Sequence, residues 1–237
     1  MNTFNIETYL DSLSEYTKVI DVSRKGITYL PDLSRFKKLK ELYCHFNYLT
    51  SLPPLEKLQI LICDNNQLTS LPELNENLQK LFCSNNQLTS LPPLNEKLEV
   101  LFCHTNQLTS LPELNEQLDY LDCYNNQLTS LHLNKQLNVL HCYNNQLYSL
   151  HLNEKLKYLS CYNNPISEII GVKDTIKKLK ILNNFCYLYY CLKFKKRFRD
   201  LLWIKIREPK IREKYSHDNL VKHLHDDTDL DELLDSW

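Results

Sequence analysis

The chain has 237 residues, 43% of them hydrophobic and 24% charged, with a formal net charge of -1; these values point away from disorder and give no overall electrostatic pull toward nucleic acid or anionic membranes. No apolar run approaches the roughly 18 residues needed to cross a bilayer, and the opening MNTFNIETYLDSLSEY lacks the basic start and apolar centre of an export signal. Nine cysteines, most of them on a regular beat, and only two glycines, Gly26 and Gly171, disfavour both a secreted disulfide framework and glycine-rich phosphate loops, so an intracellular, cytoplasmic protein without membrane contact is expected.

Residues 1–17 are expected to form an N-terminal helical cap, because Ile6, Tyr9, Leu10 and Leu13 share one helical face. Residues 18–184 are repetitive. Cysteines stand at 44, 63, 83, 103, 123, 142 and 161, in steps of 19 or 20, and each is followed three residues later by asparagine. Such a period is the mark of a solenoid. Each unit reads L-x-x-L-x-C-x-x-N-x-L-x-x-L, as in Leu78, Leu81, Cys83, Asn86, Leu88 and Leu91. The segment KVIDVSRKGITYLPDL supplies a degenerate first unit through Ile20, Val22, Ile27, Leu30 and Leu33, with Lys25 in the asparagine position. At the other end, IKKLKILNN supplies Ile176, Leu179, Ile181 and Asn184. Nine strands are therefore expected, making an arc roughly 40 Å long at about 4.8 Å per strand.

Within a unit, the Leu-x-Cys spacing sends both side chains to one face of a short strand, so leucine and cysteine point inward and the strands stack as a parallel sheet. The asparagines Asn47, Asn66, Asn86, Asn106, Asn126, Asn145, Asn164 and Asn184 are expected to form one structural ladder, their amides bonding backbone groups of their own and adjacent turns. Return limbs such as LTSLPPL carry proline and are expected to be extended, not helical. Two shorter units, around SLHLNKQL and SLHLNEKL, confine length variation to the convex side.

Beyond Asn184 the period stops, and residues 185–237 are expected to form a C-terminal helical segment with an acidic tail. In FCYLYYCLKFKKRFRDLLWIKIREP, Cys191, Phe194, Phe198, Leu201 and Leu202 recur at helical spacing, opposite Lys195, Lys196 and Arg199. An amphipathic helix docked on the last repeat is the plain reading. The KFKKRFR run reads as its solvated face, with a nucleic-acid site as the minor alternative.

The positions between inward residues face the concave surface. Tyr43, Ile62, Phe82 and Phe102 fall in one row, Tyr124, Tyr143 and Tyr162 in the next, with Tyr120 and Tyr158 beside them. Stacked rings on adjacent strands stabilise a sheet by about 0.2–1 kcal/mol per pair, but exposed Phe and Ile beyond the needs of the sheet mark an interaction site. Asp122, His141 and Ser160 occupy one row on three successive strands and mimic a catalytic triad. A hydrolase also needs an oxyanion hole, and the amides of a sheet are committed to neighbouring strands. The cysteine column is expected to hold buried reduced thiols acting as small apolar fillers, because in-register parallel side chains make neither good disulfides nor a tetrahedral metal site. His132 and His151 occupy equivalent return-limb positions, and two histidines alone are a weak metal site. No metal and no cofactor is expected. The expected species is a monomer that binds a protein partner, with Asp122 and Tyr124 facing that partner.

The unit L-x-x-L-x-C-x-x-N-x-L-x-x-L, repeated in register over about residues 18–184, resembles the leucine-rich repeat family, with cysteine where the family has leucine or another apolar residue. The LTSLPEL and LTSLPPL segments look like the short repeats of bacterial effector proteins. The Asn-, Tyr- and Cys-rich version is similar to leucine-rich repeat proteins of giant amoebal DNA viruses, a source that would put it in a host cytoplasm. The resemblance implies an α/β solenoid: a parallel sheet of about nine strands on the concave face, a largely non-helical convex side and small helical caps. It also implies non-enzymatic protein binding on the concave face. Some of the bacterial effectors carry a ubiquitin-ligase domain after the repeats; the 53 residues beyond Asn184 are too few for it, and neither Cys186 nor Cys191 begins a Cys-x-Asp motif. A substrate-recognition adaptor that recruits a ubiquitin ligase through the C-terminal helices is the alternative.

Overall fold

Asn5 starts the first element by accepting a hydrogen bond from the Thr8 amide at 3.0 Å, which caps a helix, α1, over Ile6–Asp11. The computed structural model describes residues 4–166. Ile6 and Leu10 are buried, and Tyr9 and Leu13 pack half-buried against the same core, so the apolar face predicted from the sequence is the one that closes the first repeat. Asp11 adds an exposed ion pair with Arg35 at 2.9 Å, worth little in water.

Eight strands follow, each three residues long: β1 Val19–Asp21, β2 Glu41–Tyr43, β3 Ile60–Ile62, β4 Lys80–Phe82, β5 Val100–Phe102, β6 Tyr120–Asp122, β7 Val139–His141 and β8 Tyr158–Ser160. They form one parallel sheet in sequence order. The fold is a leucine-rich-repeat arc. The ninth expected unit, with Ile176 to Asn184, and the helices expected over 185–237 lie outside the described residues.

Each strand is short for a local reason. Two residues after every inward cysteine the chain turns left-handed: Phe46, Asn65, Asn85, Thr105, Asn125, Asn144 and Asn163 all have φ between 51 and 55°, and Arg24 follows Val22 in the same way. Asparagine tolerates this region better than most residues with a β-carbon, and the double asparagine of the repeat uses its first member there. The second member turns inward. Asn126 accepts the Leu108 amide at 3.0 Å and donates to the carbonyls of Cys103 and Cys123, both at 3.1 Å. The same three-way arrangement recurs at Asn66, Asn86, Asn106, Asn145 and Asn164. At Asn47 the oxygen accepts the amides of both Lys25 and Ile27. The expected ladder is therefore present from Asn47 to Asn164, and Asn184 lies outside the described residues.

A second ladder runs along the opposite bend. Asn115 accepts the Gln117 and Leu118 amides and donates to the carbonyls of Asn95 and Leu98; Asn134 and Asn153 repeat the donation one and two units on. Between the two ladders lies the core. Leu42, Leu61, Leu81, Leu101, Leu121 and Leu140 form one column and the cysteines from Cys44 to Cys161 another, all of them 3% exposed or less. The return limbs between β1 and β8 contain no helix, as their prolines predict, and His132 and His151 meet in an isolated parallel bridge.

Candidate functional site

Strand register lays out the concave face. One row reads Tyr43, Ile62, Phe82, Phe102, Asp122, His141 and Ser160, each residue paired with the next. Phe82 stacks on Phe102 with centroids 4.9 Å apart. Tyr120, which belongs to the neighbouring row with Val100 and Val139, leans across to stack on Phe102, also at 4.9 Å and within 10° of parallel. A second stack follows the residues just after each cysteine: His104, Tyr124, Tyr143 and Tyr162, at 4.2, 4.3 and 4.4 Å with interplanar angles of 8 to 12°. His104 was not among the residues singled out from the sequence. Its signal was positional, since it follows Cys103 as Tyr124 follows Cys123.

Most of these rings are half-buried because their faces are spent on one another. Tyr158, on the last described strand, and Tyr162, two residues past its end, are 66% and 47% exposed. Tyr43 is held differently, its hydroxyl donating to Glu41 Oε2 at 2.5 Å. Burial and the adjoining Tyr124 and Tyr162 phenols push the Tyr143 phenol up, so it stays a neutral donor at physiological pH.

The structure corrects the expectation at Asp122. It lies in the concave row but is only 6% exposed, so its carboxylate does not lie open on that face, whereas the Tyr124 ring beside it is half-buried. The aspartate is short and sits along the chain between Tyr120 and Tyr124, whose phenols are raised first by burial and further by its charge. Burial pushes its carboxyl up to about 6, opposed by the Tyr124 amide, and its Oδ1 has no hydrogen-bond partner. Asp64, two strand positions beyond Ile62, is likewise raised to about 6 by burial, while the Ser84 amide donates to it at 2.6 Å.

Register brings Asp122, His141 and Ser160 side by side, as expected, but no hydrogen bond links Asp122 to His141 or His141 to Ser160. The amides of Cys123 and Cys142 donate to the carbonyls of His141 and Ser160, both at 2.8 Å, which leaves neither of them to stabilise an oxyanion.

The cysteine thiols are sealed in the core. Burial raises all seven, Cys161 to about 11 and Cys44, Cys63, Cys83, Cys103, Cys123 and Cys142 well above the usual range. Those of Cys63 and Cys83 donate to the carbonyls of Phe82 and Phe102 at 3.3 and 3.4 Å. Such groups are packing atoms, because the thiolate is the reactive form. Among the described residues no three His, Cys, Asp or Glu side chains gather in a metal-binding group. The basic KFKKRFR run, Cys186 and Cys191 lie outside the described residues.

The sequence profile of leucine-rich repeats in two copies matches residues 76–116. No curated protein matches the sequence. Among solved structures, the chain is similar to YopM from Yersinia enterocolitica, with 29% identity and a TM-score of 0.54 over 67% of this chain and 40% of that one. It is also similar to YopM of Yersinia pestis, a leucine-rich effector protein, with 33% identity and a TM-score of 0.57 over 62% of this chain and 43% of that one. A domain of InlJ from Listeria monocytogenes that includes a cysteine ladder aligns at 29% identity and a TM-score of 0.54, over 62% of this chain and 35% of that one. The aligned region thus spans well under half the length of each of these three proteins. The arc is thus similar to the repeat regions of these bacterial proteins.

Proposed function

We propose that the chain is a non-catalytic interaction module that takes a partner protein on its concave sheet face. One observation carries this reading: the leucine and cysteine columns already complete the core, yet the other face of the same strands carries two continuous aromatic stacks. Aromatic side chains are enriched at the centres of protein interfaces. The contacts come from Tyr43, Phe82, Phe102, Tyr124, Tyr143 and Tyr162, with the last strand offering the most exposed rings. The short LPxL-type limbs and the similarity to effector repeats fit a protein acting as a monomer in the cytoplasm of a producing or host cell, with no membrane contact and no cofactor.

Affinity capture from the native cellular setting tests it. Replacing Phe82, Phe102 and Tyr124 together by alanine is expected to abolish recovery of the partner, whereas Tyr148→Ala, on a return limb and 70% exposed, leaves it bound. Retention of every partner by the triple variant would sink the proposal.

A further inference from the structure

Three buried side-chain polar atoms among the described residues have no hydrogen-bond partner: His45 Nδ1, Ser84 Oγ and Asp122 Oδ1. Only the last belongs to a carboxylate, for which an unmet partner is most costly. Its surroundings offer no cation to meet it. Residues 99–105, 119–125 and 138–144, which form β5, β6, β7 and their flanks, hold three carboxylates, Glu99, Asp119 and Asp122, and no lysine or arginine. Glu99 and Asp119 are exposed where β5 and β6 begin. Of the two histidines in this patch, burial pushes His104 toward its neutral form. Lys80 and Lys157 stand on the units to either side, outside the patch.

The rings around Asp122 are not equally tight. Tyr120 on Phe102 and Tyr124 on Tyr143 are closely stacked, at 4.9 and 4.3 Å and within 10° of parallel, whereas Tyr120 and His141 stand 5.8 Å apart and 34° from parallel. The loosest contact in the patch is therefore the one between the residue two before Asp122 on β6 and the residue paired with Asp122 on β7.

We infer that the partner presents an arginine side chain that parts Tyr120 from His141 and pairs its guanidinium with Asp122 Oδ1. The inference rests on concave-face binding and names the chemistry of what binds. A guanidinium suits the place better than an ammonium: it is planar, weakly hydrated, stacks on aromatic rings and offers donors in a fixed fork. The exposed Glu99 and Asp119 carboxylates favour the approach of a basic segment.

Selection of a random linear peptide library on the immobilised protein tests the inference. Peptides that depend on Phe82 and Tyr124 are expected to share an arginine; Asp122→Asn should weaken them about tenfold or more, as should exchange of that arginine for glutamine. Asp122→Asn removes an unpaired buried charge, so its thermal melt at neutral pH is expected to be no lower than that of the parent, which separates lost binding from lost folding. Concave-face peptides that lack arginine, or that bind Asp122→Asn unchanged, would overturn the arginine assignment and leave the concave surface standing. Peptides indifferent to Phe82, Tyr124 and Asp122 alike would overturn both.

Discussion

Thr105 holds a left-handed turn, with φ at 55°, that asparagine occupies in five of the other units. A β-branched residue pays more for that region than asparagine does. Thr105→Asn should therefore stabilise the protein by roughly 0.5–1 kcal/mol in chemical denaturation, with an amide oxygen replacing the Thr105 hydroxyl that accepts from Asn125 at 3.4 Å, at the end of the outer row in which Asn163 and Asn144 donate to Asn144 and Asn125. Asp122 makes the opposite kind of local sacrifice. Its carboxyl, ordinarily near 3.8, is pushed up to about 6 in the folded state by burial. The folded form thus holds this proton more tightly than the unfolded chain, and the group costs stability progressively as pH rises from about 4 to 6. Asp122→Asn should then be more stable than the parent by roughly 1–2 kcal/mol at pH 7, with the difference fading below pH 4. An advantage independent of pH would show that the carboxylate is not the cause.

At the scale of the element, the asparagine ladders explain how a three-residue strand can serve as a structural unit. A strand this short makes few ladder bonds, and the bend after it would bury a cysteine carbonyl on one side and a leucine amide on the other. The inner asparagine satisfies both and ties each turn to the one before it. Asn126→Ala leaves the Leu108 amide and the Cys103 and Cys123 carbonyls short of a partner, and should destabilise by about 3 kcal/mol. Asn115→Ala acts on a more exposed bend that water can reach, and about 1 kcal/mol is expected there. Equal costs at the two sites would contradict the distinction drawn between a dry ladder and a wet one.

For the whole molecule, the fold was legible because its determinants are local and repeated: a cysteine two residues after a leucine and an asparagine three residues after the cysteine set the strand, the turn and the inward face without any long-range information. The concave rows were legible for the same reason, since register is fixed once the inward positions are known. The second ladder was equally present in the recurring LNE and LNK segments at Asn75, Asn95, Asn115, Asn134 and Asn153, but its role appears only when neighbouring turns are set side by side. The depth of a residue on the concave face could not be read in this way. Asp122 was expected to be open because its row is open; how deeply an aspartate sinks among its neighbours depends on their rotamers, and periodicity carries no information about those.

Among the described repeats the concave surface varies in chemistry while the scaffold beneath it stays constant, and the proposed function rests on that surface. The most direct test places a photo-crosslinking amino acid at Tyr143, in the middle of the tyrosine stack, and in a second version at Tyr148, on the neighbouring return limb. Irradiation in the native cellular setting should yield one reproducible protein adduct from position 143 and none from position 148. The same adduct from both positions, or from 148 alone, would contradict concave-face binding.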